Sequence, residues 1–132
     1  WKLIKTISAH IDAIWSIAFS ANNSMIATVS SDYQVKLWQG GDPTSADFGN
    51  LLQTMEDHTF RVKAAAFSPD STLLVTAADD KTVTIYSVPD ATLMGTLTGF
   101  TGDMNDILFS SDGKILMTWD WDGAVRLWGI PQ

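Results

Sequence analysis

The sequence predicts an all-β chain made of repeated four-stranded antiparallel units, and three observations predict it. The first is internal repetition, the feature that decides the fold when present. With His10, His58 and Phe100 as anchors, Phe19, Phe67 and Phe109 stand nine residues on, each followed by serine. Thr28, Thr76 and Thr118 stand eighteen on, and Asp32, Asp80 and Asp122 twenty-two on. Val35, Val83 and Val125 follow at twenty-five, then Trp38, Tyr86 and Trp128 at twenty-eight. The second observation is the apolar runs: they are short and rich in Val, Ile, Thr and aromatics, the residues that fit a pleated, half-buried surface. The third is the turn chemistry between them, and no segment sustains a helical period.

Taken in order, Trp1 to Ile7 reads as the outermost strand of a preceding unit, so the chain is expected to begin mid-protein or after trimming. Ile14 to Phe19 is nearly continuous in apolar residues, as in a strand covered on both faces. Gly40 to Asn50 holds three Gly, a Pro and two Asp, and reads as a loop insertion that emerges between the third and fourth strands of the first unit. It absorbs the difference between the anchor spacings, 48 and then 42 residues. The second copy shows four runs, 51–55, 62–67, 73–78 and 82–87. They are broken by Ser68-Pro69-Asp70-Ser71, Asp79-Asp80-Lys81 and Pro89-Asp90. The copies are therefore 1–39, 51–90 and 91–132. Four short strands per ~40–45 residues is the blade of a β-propeller. Propellers close with more blades than three, so the chain is expected to be a partial propeller, or one closing by association. Two copies would make six blades, each N-terminal strand completing the other copy's last blade, because repeat three ends after its third strand.

Composition narrows the function. The chain has 132 residues, 45% hydrophobic and 11% aromatic, enough for a packed core and too apolar for disorder. No apolar run approaches a membrane span. The net charge of −7 argues against a nucleic-acid binder, which needs a basic face. That charge is uneven: copies two and three carry −3 each and the insertion −2, while copy one is +1. With no cysteine there is no disulfide framework, Cys-based zinc site or thiol nucleophile. No metal or cofactor is expected: the two histidines have no third ligand, and the spacing of Asp103, Asp106, Asp112, Asp120 and Asp122 fits no calcium loop. No histidine is left to activate a serine, and Gly-x-Ser-x-Gly is absent, so no enzyme is expected. Asn22-Asn23-Ser24 is a glycosylation sequon, relevant only to a secreted chain.

The repeat residues resemble the WD-repeat (WD40) β-propeller family over the whole chain except 40–50. The resemblance implies a buried hydrogen-bonded tetrad of His, Ser/Thr, Asp and Trp in each blade. In copy one this is His10, Thr28, Asp32 and Trp38; in copy two, His58, Thr76, Asp80 and Tyr86, with Tyr in place of Trp. Copy three has Thr118, Asp122 and Trp128, but Phe100 cannot bond, so its tetrad is left open. The repeats are divergent: each lacks the Gly-His pair and the terminal Trp-Asp, ending instead in Trp38-Gln39, Tyr86-Ser87 and Trp128-Gly129. A closed tetrad gives every buried donor a partner, which suits a structural role for His10 and His58.

The resemblance also implies that partner contacts lie on the face bearing the His loops and Asp turns, three and five residues after the His and one before the Asp. Those positions hold Ala13, Trp15 and Ser31; Arg61, Lys63 and Asp79; and Asp103, Asn105 and Trp121. Trp and Arg are common interface anchors, so Trp15, Arg61, Lys63, Asp79, Asp103, Asn105 and Trp121 are the expected contacts. Arg61 and Lys63 would suit an acidic or phosphorylated segment. The function expected is a non-catalytic protein–protein interaction scaffold, cytoplasmic, with the nucleus open as well. The alternative is a regulatory or ligand-sensing propeller domain of a larger multidomain protein.

Overall fold

The computed structural model describes residues 1–129, and Ile130, Pro131 and Gln132, the end of repeat three, lie outside the described residues. Among the described residues eleven strands form and none is helical. The first blade is β1 (Ile14–Phe19), β2 (Met25–Ser30), β3 (Val35–Gln39) and β4 (Leu51–Met55), paired antiparallel in that order. The second is β5 (Val62–Phe67), β6 (Leu73–Ala78), β7 (Thr82–Ser87) and β8 (Thr92–Leu97). The third has β9 (Met104–Phe109), β10 (Ile115–Asp120) and β11 (Val125–Gly129). The innermost strands β1, β5 and β9 sit side by side, giving an open three-blade arc, a partial propeller.

The core lies between blades rather than within them. One cluster joins Ala27, Val29, Val35 and Leu37 of blade one to Val62, Phe67, Leu74 and Tyr86 of blade two. A second joins Ala64, Val75, Ala77 and Val83 to Phe100, Met104, Ile107 and Leu116 of blade three. A strand alternates its side chains between faces, so each blade of the middle position is covered twice. The outward faces of the end blades stay apolar and exposed, with Ile17 and Phe19 on one and Leu108, Val125 and Leu127 on the other.

Residues 1–13 form no strand. Trp1 to Ile7, expected as the outer strand of a preceding blade, is exposed and pairs with none of the described strands; the outer strand of blade one is β4. The segment instead runs past the 40–50 loop, where the Lys5 Nζ donates to the Phe48 carbonyl at 2.7 Å.

The inner strand pair of each blade breaks register at the same place. The irregularity falls between Ile14 and Ser16, between Val62 and Ala64, and opposite Trp119 and Asp120, where Met104 and Asp106 are the partners. The skipped residues are Trp15, Lys63 and Asn105. An extra residue in one strand twists the ladder and re-aims its side chain, and here the re-aimed position is the one five residues after each anchor.

Candidate partner-binding face

The face begins with the hydrogen bonds that hold its loops. In blade one, the Trp38 indole N–H donates to Thr28 Oγ1 at 3.0 Å. Thr28 lies 2.7 Å from His10 Nε2, and His10 Nδ1 lies 2.9 Å from Asp32 Oδ2. Asp32 also accepts from the Gln34 amide at 3.0 Å, tying the network to the β2–β3 turn.

Blade two solves the same problem differently. His58 lies 2.8 Å from Asp80 Oδ2 and 2.8 Å from Thr76 Oγ1. Tyr86 does not join this network as its repeat position suggested: its hydroxyl donates to Asp57 Oδ2 at 2.9 Å. The phenol oxygen lies farther out than an indole nitrogen, past the threonine. Thr84 takes the vacated place, 2.6 Å from Thr76 Oγ1 and 3.0 Å from His58 Nε2. Burial would raise the Asp80 pKa, but hydrogen bonds from His58, Thr82 and the Thr59 amide, with the electrostatic pull of His58, outweigh it and bring it down to about 2.

Blade three departs further. Trp128 still donates to Thr118 Oγ1 at 3.0 Å. Asp122, expected in the tetrad, is exposed and lies against Gly102, at a spot where a Cβ on that glycine would come within 2.7 Å of its Cγ. With Phe100 replacing histidine there is no ring nitrogen to hold Asp122 inward. Asp120 does the turn's work instead: Oδ1 accepts from the Asp122 and Ala124 amides at 3.0 and 3.2 Å, and Oδ2 from Arg126 Nη1 at 2.8 Å. The Arg126 hydrogen bond, chief among these, holds the Asp120 carboxyl below its usual range. The Arg126 guanidinium lies 5.1 Å from the Phe100 ring centroid, and that ring packs against Trp128 at 5.7 Å. Thr84 and Arg126 share one repeat position, twenty-six after the anchor, where blade one has Lys36, whose Nζ donates to the Ala9 carbonyl at 2.7 Å. The sequence signal was a polar side chain at this repeat position in all three copies.

The expected contact positions are joined blade by blade. The amide before each turn Asp donates to the carbonyl three residues after each anchor: Ser31 to Ala13 at 2.9 Å, Asp79 to Arg61 at 2.8 Å and Trp121 to Asp103 at 3.0 Å. Trp15 is 49% exposed and its indole donates to Ser31 Oγ at 2.6 Å. Trp121 is 70% exposed, Asp103 exposed and Asn105 half-buried. Tyr33 and Phe60, which the repeat comparison passed over, are exposed and stacked across the blade boundary at 5.7 Å.

Arg61 and Lys63 are not free cations. Arg61 Nη2 and Lys63 Nζ both approach Asp79 Oδ2, at 3.1 and 3.6 Å. Lys63 also sits 3.8 Å over the Trp15 ring, and Arg61 4.9 Å over Phe60, both within cation–π range. Among the described residues no group of three or more His, Asp or Glu could hold a metal ion, and no helix is long and apolar enough to cross a membrane. A cleft of about 400 Å³ between blades two and three is lined by apolar side chains such as Val75, Ile85, Phe109 and Trp128, with no convergent polar groups.

Strand order, inter-blade cores and repeated turn networks define a β-propeller blade array. The WD domain, G-beta repeat family model matches residues 1–39, 49–87 and 91–129, and the chain belongs to that family. It is similar to pre-mRNA-processing factor 19 of Oryza sativa subsp. japonica, 30% identical over 132 residues, 98% of this chain and 24% of the relative. It is similar also to the probable cytosolic iron-sulfur protein assembly protein 1 of Candida glabrata, 29% identical over 139 residues, 96% of this chain and 40% of the relative. A third relative is the nuclear distribution protein PAC1 of Arthroderma otae, 32% identical over 139 residues, 98% of this chain and 29% of the relative. The chain thus spans well under half the length of these curated relatives.

Proposed function

We propose that the chain is a non-catalytic interaction platform that docks a partner protein segment on the face of the His loops and Asp turns. The observation that carries this reading is the pair Trp15 and Trp121, left exposed, one at the start of β1 and the other on the clamped turn after β10. Such aromatic anchors, presented by loops on a fixed scaffold, are how interfaces gain most of their energy. The register break at Trp15 supports it, since it aims an indole outward at the cost of regular pairing. The pairing of Arg61 and Lys63 with Asp79 lowers the charge they offer to an acidic or phosphorylated segment. A net charge of −7 supports the absence of nucleic acid among the partners. Relatives named for cytosolic assembly and nuclear distribution support an intracellular setting.

The exposed apolar faces of blades one and three support a second element: further blades, from a longer chain or from self-association, cover them. That would make the segment part of a larger regulatory or scaffolding protein. The test of the docking face is affinity capture with immobilised wild type, Trp15→Ala, Trp121→Ala and the distal loop variant Asp47→Ala. Partners are expected on wild type and Asp47→Ala and lost from both Trp variants; equal capture by all four refutes the face.

A further inference from the structure

Asp79 is the least satisfied polar residue of the face. Its side chain is 1% exposed. Neither of its oxygens has a hydrogen-bond partner: Oδ2 meets Arg61 and Lys63 only as ion pairs, at 3.1 and 3.6 Å, and Oδ1 is left without a donor. Arg61 Nε is likewise buried and unpartnered. A guanidinium and a carboxylate that meet properly form a two-point fork; here one nitrogen meets one oxygen, and a donor and an acceptor are both left idle. Buried groups left in that state cost stability and call for an explanation.

The surroundings say what the vacant acceptor would take. Lys63 is committed to the Trp15 ring at 3.8 Å. Arg61 is 41% exposed in its side chain and already rests over Phe60 at 4.9 Å, so it has a second seat if it leaves Asp79. From blade three the exposed Asp103 acts on Asp79 through its charge. Burial first, and then the charge of Asp103, push the Asp79 carboxyl above its usual range against the pull of Lys63 and Arg61. Beside Asp103 stands Trp121, its amide bonded to the Asp103 carbonyl at 3.0 Å and its indole exposed, an apolar wall for the stem of a long cationic side chain.

We propose that Asp79 and Asp103 form a receptor for a cationic side chain, arginine or lysine, of a basic partner segment, with Arg61 as its displaceable internal occupant. This deepens the docking-face reading and rests on it. A vacant acceptor flanked by a second carboxylate selects a donor that carries positive charge, and repels the acidic segment that Arg61 and Lys63 suggest when read as residue types alone.

The experiment is fluorescence anisotropy with three fluorescein-labelled Gly/Ser peptides whose central pair is Arg-Arg, Glu-Glu or Ser-Ser. They are titrated with wild type, Arg61→Ala, Asp103→Asn, Asp79→Asn, Trp15→Ala and Trp121→Ala. Wild type is expected to bind the arginine peptide about tenfold more tightly than the other two, the equivalent of one charge-assisted hydrogen bond. Asp103→Asn, an exposed substitution that leaves the core intact, and Asp79→Asn should each remove most of that preference. Arg61→Ala should tighten arginine-peptide binding several-fold by removing the internal competitor. Preference for the glutamate peptide, weaker arginine-peptide binding by Arg61→Ala, or an arginine preference indifferent to Asp103→Asn would each overturn the receptor. So would no binding above the Ser-Ser peptide. Glutamate-peptide binding lost in Trp15→Ala and Trp121→Ala would leave the docking face standing while the basic-partner proposal falls. Binding of any peptide that ignores both Trp variants would count against the face itself.

Discussion

Replacing Asp80 by alanine probes the blade-two network most directly. Its Oδ2 accepts from His58 Nδ1 at 2.8 Å and the Thr59 amide at 3.0 Å. Its Oδ1 accepts from the Thr82 amide at 2.9 Å and Thr82 Oγ1 at 2.7 Å. Thr59 is exposed and will find water, but His58 is buried and Thr82 half-buried, so about two donors stay orphaned after truncation. Each costs about 1–2 kcal/mol, for a loss of about 3 kcal/mol. The same bonds act on the Asp80 carboxyl. The Asp80 pKa falls from 3.8 to about 2 on folding, which corresponds to about 2 kcal/mol of stability held by the ionised carboxylate. Because the folded value is the depressed one, that stability is fully present above pH 4 and is lost as pH falls towards 2. Urea unfolding of wild type and Asp80→Ala should therefore differ by about 3 kcal/mol at pH 7 and by about 1 kcal/mol near pH 2. Taking the difference between the two proteins cancels the other carboxylates, Asp32 among them. A gap that keeps its size across this range, or is below 1 kcal/mol at pH 7, would show that the charge-bearing hydrogen bonds do not hold this turn.

Three further outcomes follow from the site. Asp120→Ala should lower the unfolding midpoint clearly while Asp122→Ala leaves it within the range of ordinary surface changes; the reverse order in urea melts would return the turn to Asp122. Thr84→Val should cost about 1–2 kcal/mol by stripping the hydroxyl between Thr76 and His58, whereas Tyr86→Phe, which loses only a bond to exposed Asp57, should cost less than about 1 kcal/mol. Lys81 sits at φ 64° where the third blade has Gly123 at φ 84°, so Lys81→Gly should stabilise by up to about 1 kcal/mol, and a fall in the thermal midpoint would contradict the strain argument.

Much of the fold was legible in sequence for a local reason. Strand bounds such as Ile14–Phe19, Val62–Phe67 and Leu73–Ala78 follow from apolar runs and turn residues that act within a few positions. The repeat also puts like residues at like points of each blade, and His10 lies 2.9 Å from Asp32 and His58 2.8 Å from Asp80. Trp1 to Ile7, expected in a preceding blade, pairs with none of the described strands, since a strand needs an edge to pair with and the outer edge of blade one is held by β4.

The period, the strands and the residues able to share a network are set locally, along the chain. Which of those residues meet is set by packing. Tyr86 reached past Thr76 to Asp57, Thr84 closed the gap, and Asp120 with Arg126 replaced a pair that Phe100 had made impossible. Arg61 and Lys63 lost their freedom to Asp79, which lies far from both in sequence and beside them in space. Repeat position specifies a backbone address, but a hydrogen bond depends on side-chain reach and on distances of a few tenths of an ångström, which are settled only when neighbouring strands and blades pack.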